Sequence, residues 1–320
     1  MTEKNISRRT VLKLMGAVAG AAALGTLPQL TGCHKNEQDV RSSDVQPEAP
    51  SDTKAFATKR IVLFFTGTGN CLYVAKSLSD APVSIPQAMK KGEFEYEAEE
   101  IGIVYPVYGQ MPPNMVRKFM KQAKLKCRYL FAVATYGNVK GGSVEVFQRI
   151  AGEYGLKFDY IATLLMVDNW LPMYDMSEQV KLDKKIDENL AAIKADIDTN
   201  KKYIEPVSDE EHQKAESLYQ RTEGIFLPDG VHAKAEEWFT ITDRCISCGI
   251  CVRICPRSNY RIEVEQAVTS GECELCLACV HACPHKAIQL TKGEKNPNAR
   301  FRNPNVKSSE IQRANNQHQS

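Results

Sequence analysis

Eight of the chain's eleven cysteines fall between Cys245 and Cys283, in a spacing suited to holding inorganic clusters. The run Cys245-x-x-Cys248-x-x-Cys251-x-x-x-Cys255-Pro256 is repeated as Cys273-x-x-Cys276-x-x-Cys279-x-x-x-Cys283-Pro284. Three cysteines two residues apart can wrap one cube of iron and sulfide. The fourth, ahead of a proline that turns the chain away, reaches across to the other cube. The spacing predicts two [4Fe-4S] clusters, one on Cys245, Cys248, Cys251 and Cys283 and one on Cys273, Cys276, Cys279 and Cys255. Structural zinc would use four ligands per ion, typically in paired C-x-x-C units, and a disulfide framework is the other alternative for an exported chain. The duplicated triple spacing favours clusters over both.

A second candidate lies near the other end of the folded part. Thr66-Gly67-Thr68-Gly69-Asn70 follows the apolar run Ile61 to Phe65 and precedes a helical segment, Asn70 to Ser79. Its backbone N–H groups and hydroxyls can converge on a phosphate at the helix N-terminus, although Gly and Thr are also ordinary turn residues. Pro106-Val107-Tyr108-Gly109 and Thr135-Tyr136-Gly137-Asn138 each place a ring beside a glycine at the end of another apolar run. A flat ligand carrying one phosphate suits such a set, and flavin mononucleotide (FMN) fits that description.

The elements that must position these residues alternate. Ile61–Phe65, Ile101–Tyr105, Leu130–Thr135 and Ile161–Val167 are continuous apolar runs of the kind found in buried parallel strands, the first, third, fourth and fifth of a sheet. Helices are expected after Pro113 and after Ser143. Leu182, Ile186, Leu190, Ile193 and Ile197 fall at helical spacing, the stripe of a sheet-covering helix. The alternation predicts a doubly wound α/β domain with ligands outside the carboxyl ends of its strands.

The three loops together resemble the flavodoxin fold, whose phosphate loop has the form S/T-x-T-G-x-T. Thr66, Thr68, Gly69 and Asn70 match, and Cys71 stands where the final threonine would donate a hydroxyl. Cys71 reads as a small residue at a helix start, the alternative being a thiol activated by the helix dipole. Cys127 has no motif around it.

The N-terminus reads as an address. Ser7-Arg8-Arg9-Thr10-Val11-Leu12-Lys13 resembles a twin-arginine export motif, and the Ala- and Gly-rich stretch after it ends at Leu30-Thr31-Gly32-Cys33, which resembles a lipobox with Cys33 lipidated. The alternative is an uncleaved apolar anchor. Residues 34–58 are polar with two prolines, as in a flexible tether. The twin-arginine route carries folded, cofactor-loaded proteins, which agrees with clusters assembled on reduced thiols inside the cell. A formal net charge of +2 gives no reason to expect nucleic acid.

From about Lys59 to Ile311 the chain is similar to flavodoxin-domain proteins fused to a bacterial-type 2[4Fe-4S] ferredoxin. Asn169-Trp170-Leu171-Pro172-Met173 and Arg300-Phe301-Arg302-Asn303-Pro304 share in that resemblance. With the N-terminal motifs it gives a signal peptide over 1–33, a tether over 34–58, a flavodoxin-like sheet over 59–224, a small α+β two-cluster ferredoxin domain over 225–312 and a tail over 313–320. It also implies electron carriage by FMN and the clusters, between redox partner proteins; members of that family are commonly cytoplasmic, so the outer face of the cytoplasmic membrane, expected from the N-terminal motifs, departs from their usual setting. The alternatives are a flavin-dependent reductase of a quinone or small molecule, and a ferredoxin on a flavin-free docking domain. No paired acid–base residues, catalytic triad or second nucleotide motif favours the enzyme.

Overall fold

The computed structural model describes residues 56–213 and 233–318, and residues 54–320 group as one compact unit. The expected signal, the expected lipobox at Cys33 and nearly all of the expected tether lie outside the described residues. Among those that are described, no helix is long and apolar enough to cross a membrane.

Six strands form a wholly parallel sheet: β1 (Arg60–Phe64), β2 (Val83–Ser84), β4 (Glu100–Pro106), β6 (Tyr129–Tyr136), β7 (Tyr160–Leu165) and β8 (Tyr203–Ile204), in the order β2-β1-β4-β6-β7-β8. Leaving aside the outer β8, that is the 2-1-3-4-5 order of a flavodoxin-like fold, with its switch point between β1 and β4. The register brings Ile61 beside Ile101 and Ile101 beside Leu130. Helices on both faces explain why these runs are apolar throughout instead of alternating. A Cβ on Gly102, in the middle of β4, would overlap the Phe131 ring of β6, so the glycine makes room for that aromatic.

The helices are α1 (Asn70–Leu78), α2 (Ile85–Lys91), α3 (Asn114–Gln122), α4 (Ser143–Glu153), α5 (Met176–Gln179) and α6 (Ile186–Asp198). The β3 (Glu95–Glu97) and β5 (Lys124–Lys126) strands pair beside the sheet. The expected stripe from Leu182 is shorter than its spacing suggests. Lys185 takes a left-handed φ of 51° at the cap of α6, so the helix begins at Ile186 and Leu182 is exposed.

The ferredoxin part pairs its strands in antiparallel fashion: β9 (Ala233–Lys234) with β13 (Glu272–Cys273), β10 (Phe239–Ile241) with β14 (Ile288–Leu290), and β11 (Tyr260–Glu263) with β12 (Gln266–Thr269). Helix α7 (Ala235–Trp238) precedes β10, and α8 (Ile250–Ile254) and α9 (Ala278–Ala282) each carry the third cysteine of a motif. The chain then returns to the sheet domain. Helix α10 (Ser308–Asn315) packs against both α2 and α8, so residues 313–315, expected within a tail, are its last turn, and Asn315 is wholly buried.

Candidate functional site

The two cysteine motifs enclose two separate spaces. One, of about 360 Å³, is lined by Cys245, Cys248, Cys251 and Cys283; the other, of about 300 Å³, by Cys255, Cys273, Cys276 and Cys279. These are the two sets that the spacing pairs, with the fourth cysteine crossing in each direction. Backbone N–H groups point at the sulfurs: Ala267 at Cys245 (3.4 Å), Asn259 at Cys255 (3.4 Å), Leu275 at Cys273 (3.3 Å) and Ala287 at Cys283 (3.2 Å). Burial pushes the thiols of Cys251 and Cys273 up to about 12, so a thiolate persists there only beside positive charge of the kind iron supplies. Four cysteines around each space, two of them with a backbone N–H donor at the sulfur, fit an iron–sulfur cluster there.

The first space lies near solvent. Cys248 is exposed, as are Ile246 of the same loop and Val264 at the adjoining hairpin turn. The second space is deep, with Cys255, Cys276 and Cys279 all buried.

The deep set borders a cleft at the switch point of the sheet. This cleft, about 1100 Å³ to its open mouth, is lined by Thr66, Gly67, Thr68, Asn70, Tyr108, Gly109, Thr135, Tyr136 and Gly137 from the three expected loops. Cys71, Asp168, Asn169, Trp170, Leu275 and Leu277 line it as well. Helix α1 starts at Asn70 and leaves the N–H groups of its first turn without carbonyl partners inside the helix, as phosphate binding requires. Thr66 Oγ1 accepts the Gly69 N–H at 3.1 Å, and Thr68 Oγ1 accepts from the Asn169 amide at 2.6 Å, which leaves both hydroxyl protons available to an acceptor. A phosphate cradle at one end and tyrosine and tryptophan rings at the other fit FMN.

Two expected residues are placed differently. Gly69 (φ 101°) faces away from the cleft, where a Cβ would crowd Asn303, Val306 and Ile311. Asn138 is exposed, and its amide donates to Asp168 at 2.9 Å from outside the lining. Cys71 is buried, its sulfur 3.2 Å from Thr135 Oγ1, and burial pushes its thiol up to about 12. The helix dipole does not activate it.

Gly67 joins the two sites. A Cβ there would overlap the carbonyl oxygen of Cys276, so the phosphate loop lies directly against the backbone of a deep-set cysteine. Leu275 and Leu277, both left-handed at φ 51° and 55°, flank Cys276 and form part of the cleft wall.

A layer behind the cleft was not assigned from sequence. The Phe301 N–H donates to His281 Nδ1 at 3.0 Å, which leaves the proton on Nε2 to donate to the Asn169 carbonyl at 2.9 Å. Burial pushes His281 down to about 4, and it is neutral. The Asn303 N–H donates to the Thr68 carbonyl at 2.9 Å and its side chain to Asn70 Oδ1 at 3.1 Å, while Asn315 donates to the carbonyls of Thr66 (3.0 Å) and Ile254 (3.2 Å). Arg300, partly buried, pairs with Glu294 at 2.6 Å and donates to the Val280 carbonyl at 3.1 Å. The motifs around Asn169 and Arg300 stood out in the sequence, but their target, the phosphate loop, is distant along the chain.

Sheet order and cysteine geometry together define a flavodoxin-like α/β domain fused to a ferredoxin-like iron–sulfur domain. Residues 237–284 match the family model described as a 4Fe-4S dicluster domain. An iron-sulfur protein of Rhodospirillum rubrum is 31% identical over an alignment covering 20% of this chain and 44% of that protein. An uncharacterized ferredoxin of Methanocaldococcus jannaschii is 35% identical, covering 22% of this chain and 46% of its own length. The chain thus spans less than half of each relative. Among solved structures, a Lactobacillus acidophilus flavoprotein in complex with FMN overlaps 33% of this chain and 93% of its own, at 16% identity and a TM-score of 0.23. An NADPH-quinone reductase from P. pentosaceus overlaps 44% and 97%, at 11% identity and a TM-score of 0.29. The fold assignment rests on the strand order and not on these overlaps.

Proposed function

We propose that this chain relays electrons between FMN in the switch-point cleft and two [4Fe-4S] clusters, one on Cys245, Cys248, Cys251 and Cys283 and one on Cys255, Cys273, Cys276 and Cys279. The observation that carries the reading is the contact of Gly67 with Cys276, which leaves no side chain between phosphate loop and deep cysteine set. A flavin exchanges one or two electrons and each cluster one, so joining them converts between the two kinds of partner. The chain's own residues hold and insulate. The first turn of α1 with Thr66 and Thr68 receives the phosphate, and Tyr108, Tyr136 and Trp170 enclose the flat ring. Leu275 and Leu277 keep water out of the gap between cleft and deep set. The partners are redox proteins.

The same proposal places the chain at the outer face of the cytoplasmic membrane, exported by the twin-arginine route and anchored through lipid on Cys33. Arg8→Lys with Arg9→Lys should trap the precursor inside, and Cys33→Ala should release the processed protein from membranes. The relay itself is tested by the visible spectrum, iron content and extracted flavin of protein purified from the cytoplasm without oxygen. The expected result is about eight irons and one FMN per chain. Iron without flavin would leave a ferredoxin on a docking domain, and absence of iron would end the relay reading altogether.

A further inference from the structure

The two cysteine motifs repeat each other in backbone as well as in sequence, and the repeat breaks at one functional position. Left-handed residues recur at matching offsets: Ser247 and Gly249 in the first motif, Leu275 and Leu277 in the second, then Ser258 and Lys286 after each Cys-Pro. The N–H···S bonds of Asn259 to Cys255 and of Ala287 to Cys283 are equivalent too. One residue further on, the first motif has Tyr260 and the second Ile288. Tyr260 is 2% exposed and lines the deep space, and its Oη donates to Cys279 Sγ at 3.3 Å. Ile288, equally buried, lines the other space and offers only an aliphatic chain.

We propose that Tyr260 is a tuning residue whose hydroxyl selectively raises the reduction potential of the cluster on Cys255, Cys273, Cys276 and Cys279. The inference rests on the cluster reading above and adds a difference between clusters that the cysteine spacing does not contain. An added electron makes the ligand sulfurs more negative, and an O–H dipole already aimed at one of them stabilises that state more than the oxidised one. Burial strengthens the effect, because little water is present to screen the dipole. The residue thus biases the electron toward the cluster beside the flavin cleft, and favours inward flow from the exposed Cys248 side.

Tyr260→Phe removes the donor and keeps the ring. In a redox titration of the full-length, cluster-loaded protein followed by electron paramagnetic resonance, one midpoint should move to lower potential while the other stays. A tenfold change in the reduction equilibrium of that cluster would correspond to about 59 mV for one electron. Site-specific fluorotyrosine at 260, a stronger donor of nearly the same size, should move the same midpoint upward, and it carries the test if the phenylalanine variant does not retain its clusters. Two unmoved midpoints, or equal shifts in both, would overturn the proposal. Wild-type protein without cluster signals would instead overturn the cluster reading beneath it.

Discussion

At the residue scale, each proposed cluster has four cysteines and, among the described residues, no further cysteine lining its space. Cys248→Ala should therefore remove the outer cluster, lower iron to about half, and leave the second cluster's spectrum in place; unchanged iron, or zinc in its stead, would contradict the assignment. Thr68 Oγ1 accepts from Asn169 and keeps its proton free, so its contribution to a phosphate is as a donor. Thr68→Ala should weaken FMN by about 1–3 kcal/mol, roughly 5- to 150-fold, in a titration of deflavinated protein, without loss of iron. Cys71 illustrates what sequence alone leaves open. A thiol at a helix start can be activated or inert, and the decision lies with Thr135, 64 residues away along the chain, and with complete burial. Because its thiol is raised to about 12, the protonated form prevails below that pH. Alkylation of native protein, read by peptide mass spectrometry, should spare Cys71 at pH 8 and rise steeply only toward pH 12.

At the element scale, the main strands were legible because a parallel strand buried on both faces shows as an unbroken apolar run. Strand β2, only Val83–Ser84, carries no such run and follows from the sheet order alone. The end of the Leu182 stripe was misleading because spacing records which residues are apolar, not where Lys185 turns left-handed. Helix α10 is the element whose role was least visible, since both of its partners are remote in sequence. Its Asn315 amide is the donor to two carbonyls, one in the phosphate loop and one in α8. Asn315→Ala leaves both without that donor in a buried place, which should cost about 2–5 kcal/mol by urea unfolding and loosen FMN binding as well. A variant as stable as wild type would mean that α10 does not brace the loop.

At the scale of the whole molecule, the cysteine motifs and the phosphate loop were each recognisable, but their adjacency was not. It depends on the way the ferredoxin part sits against the carboxyl ends of the strands, which local spacing does not encode. Gly67 is where that arrangement can be probed with one methyl group. Gly67→Ala should push the loop and Cys276 apart, slowing electron exchange between flavin and clusters in stopped-flow reduction while each cofactor still binds. Exchange at the wild-type rate would show that electrons take another route.

The return of the C-terminal segment to the phosphate loop also orders the events of biosynthesis. A ribosome delivers Thr66 to Asn70 well before Asn303 and Asn315, which hold the back of that loop. Neither can reach it until the ferredoxin part between them has folded, and that folding is coupled to metal insertion. On the proposed relay, flavin capture would therefore follow metal insertion, and a chain without iron would present an unfinished nucleotide site. A filled flavin site would then mark a chain whose inorganic part is already in place.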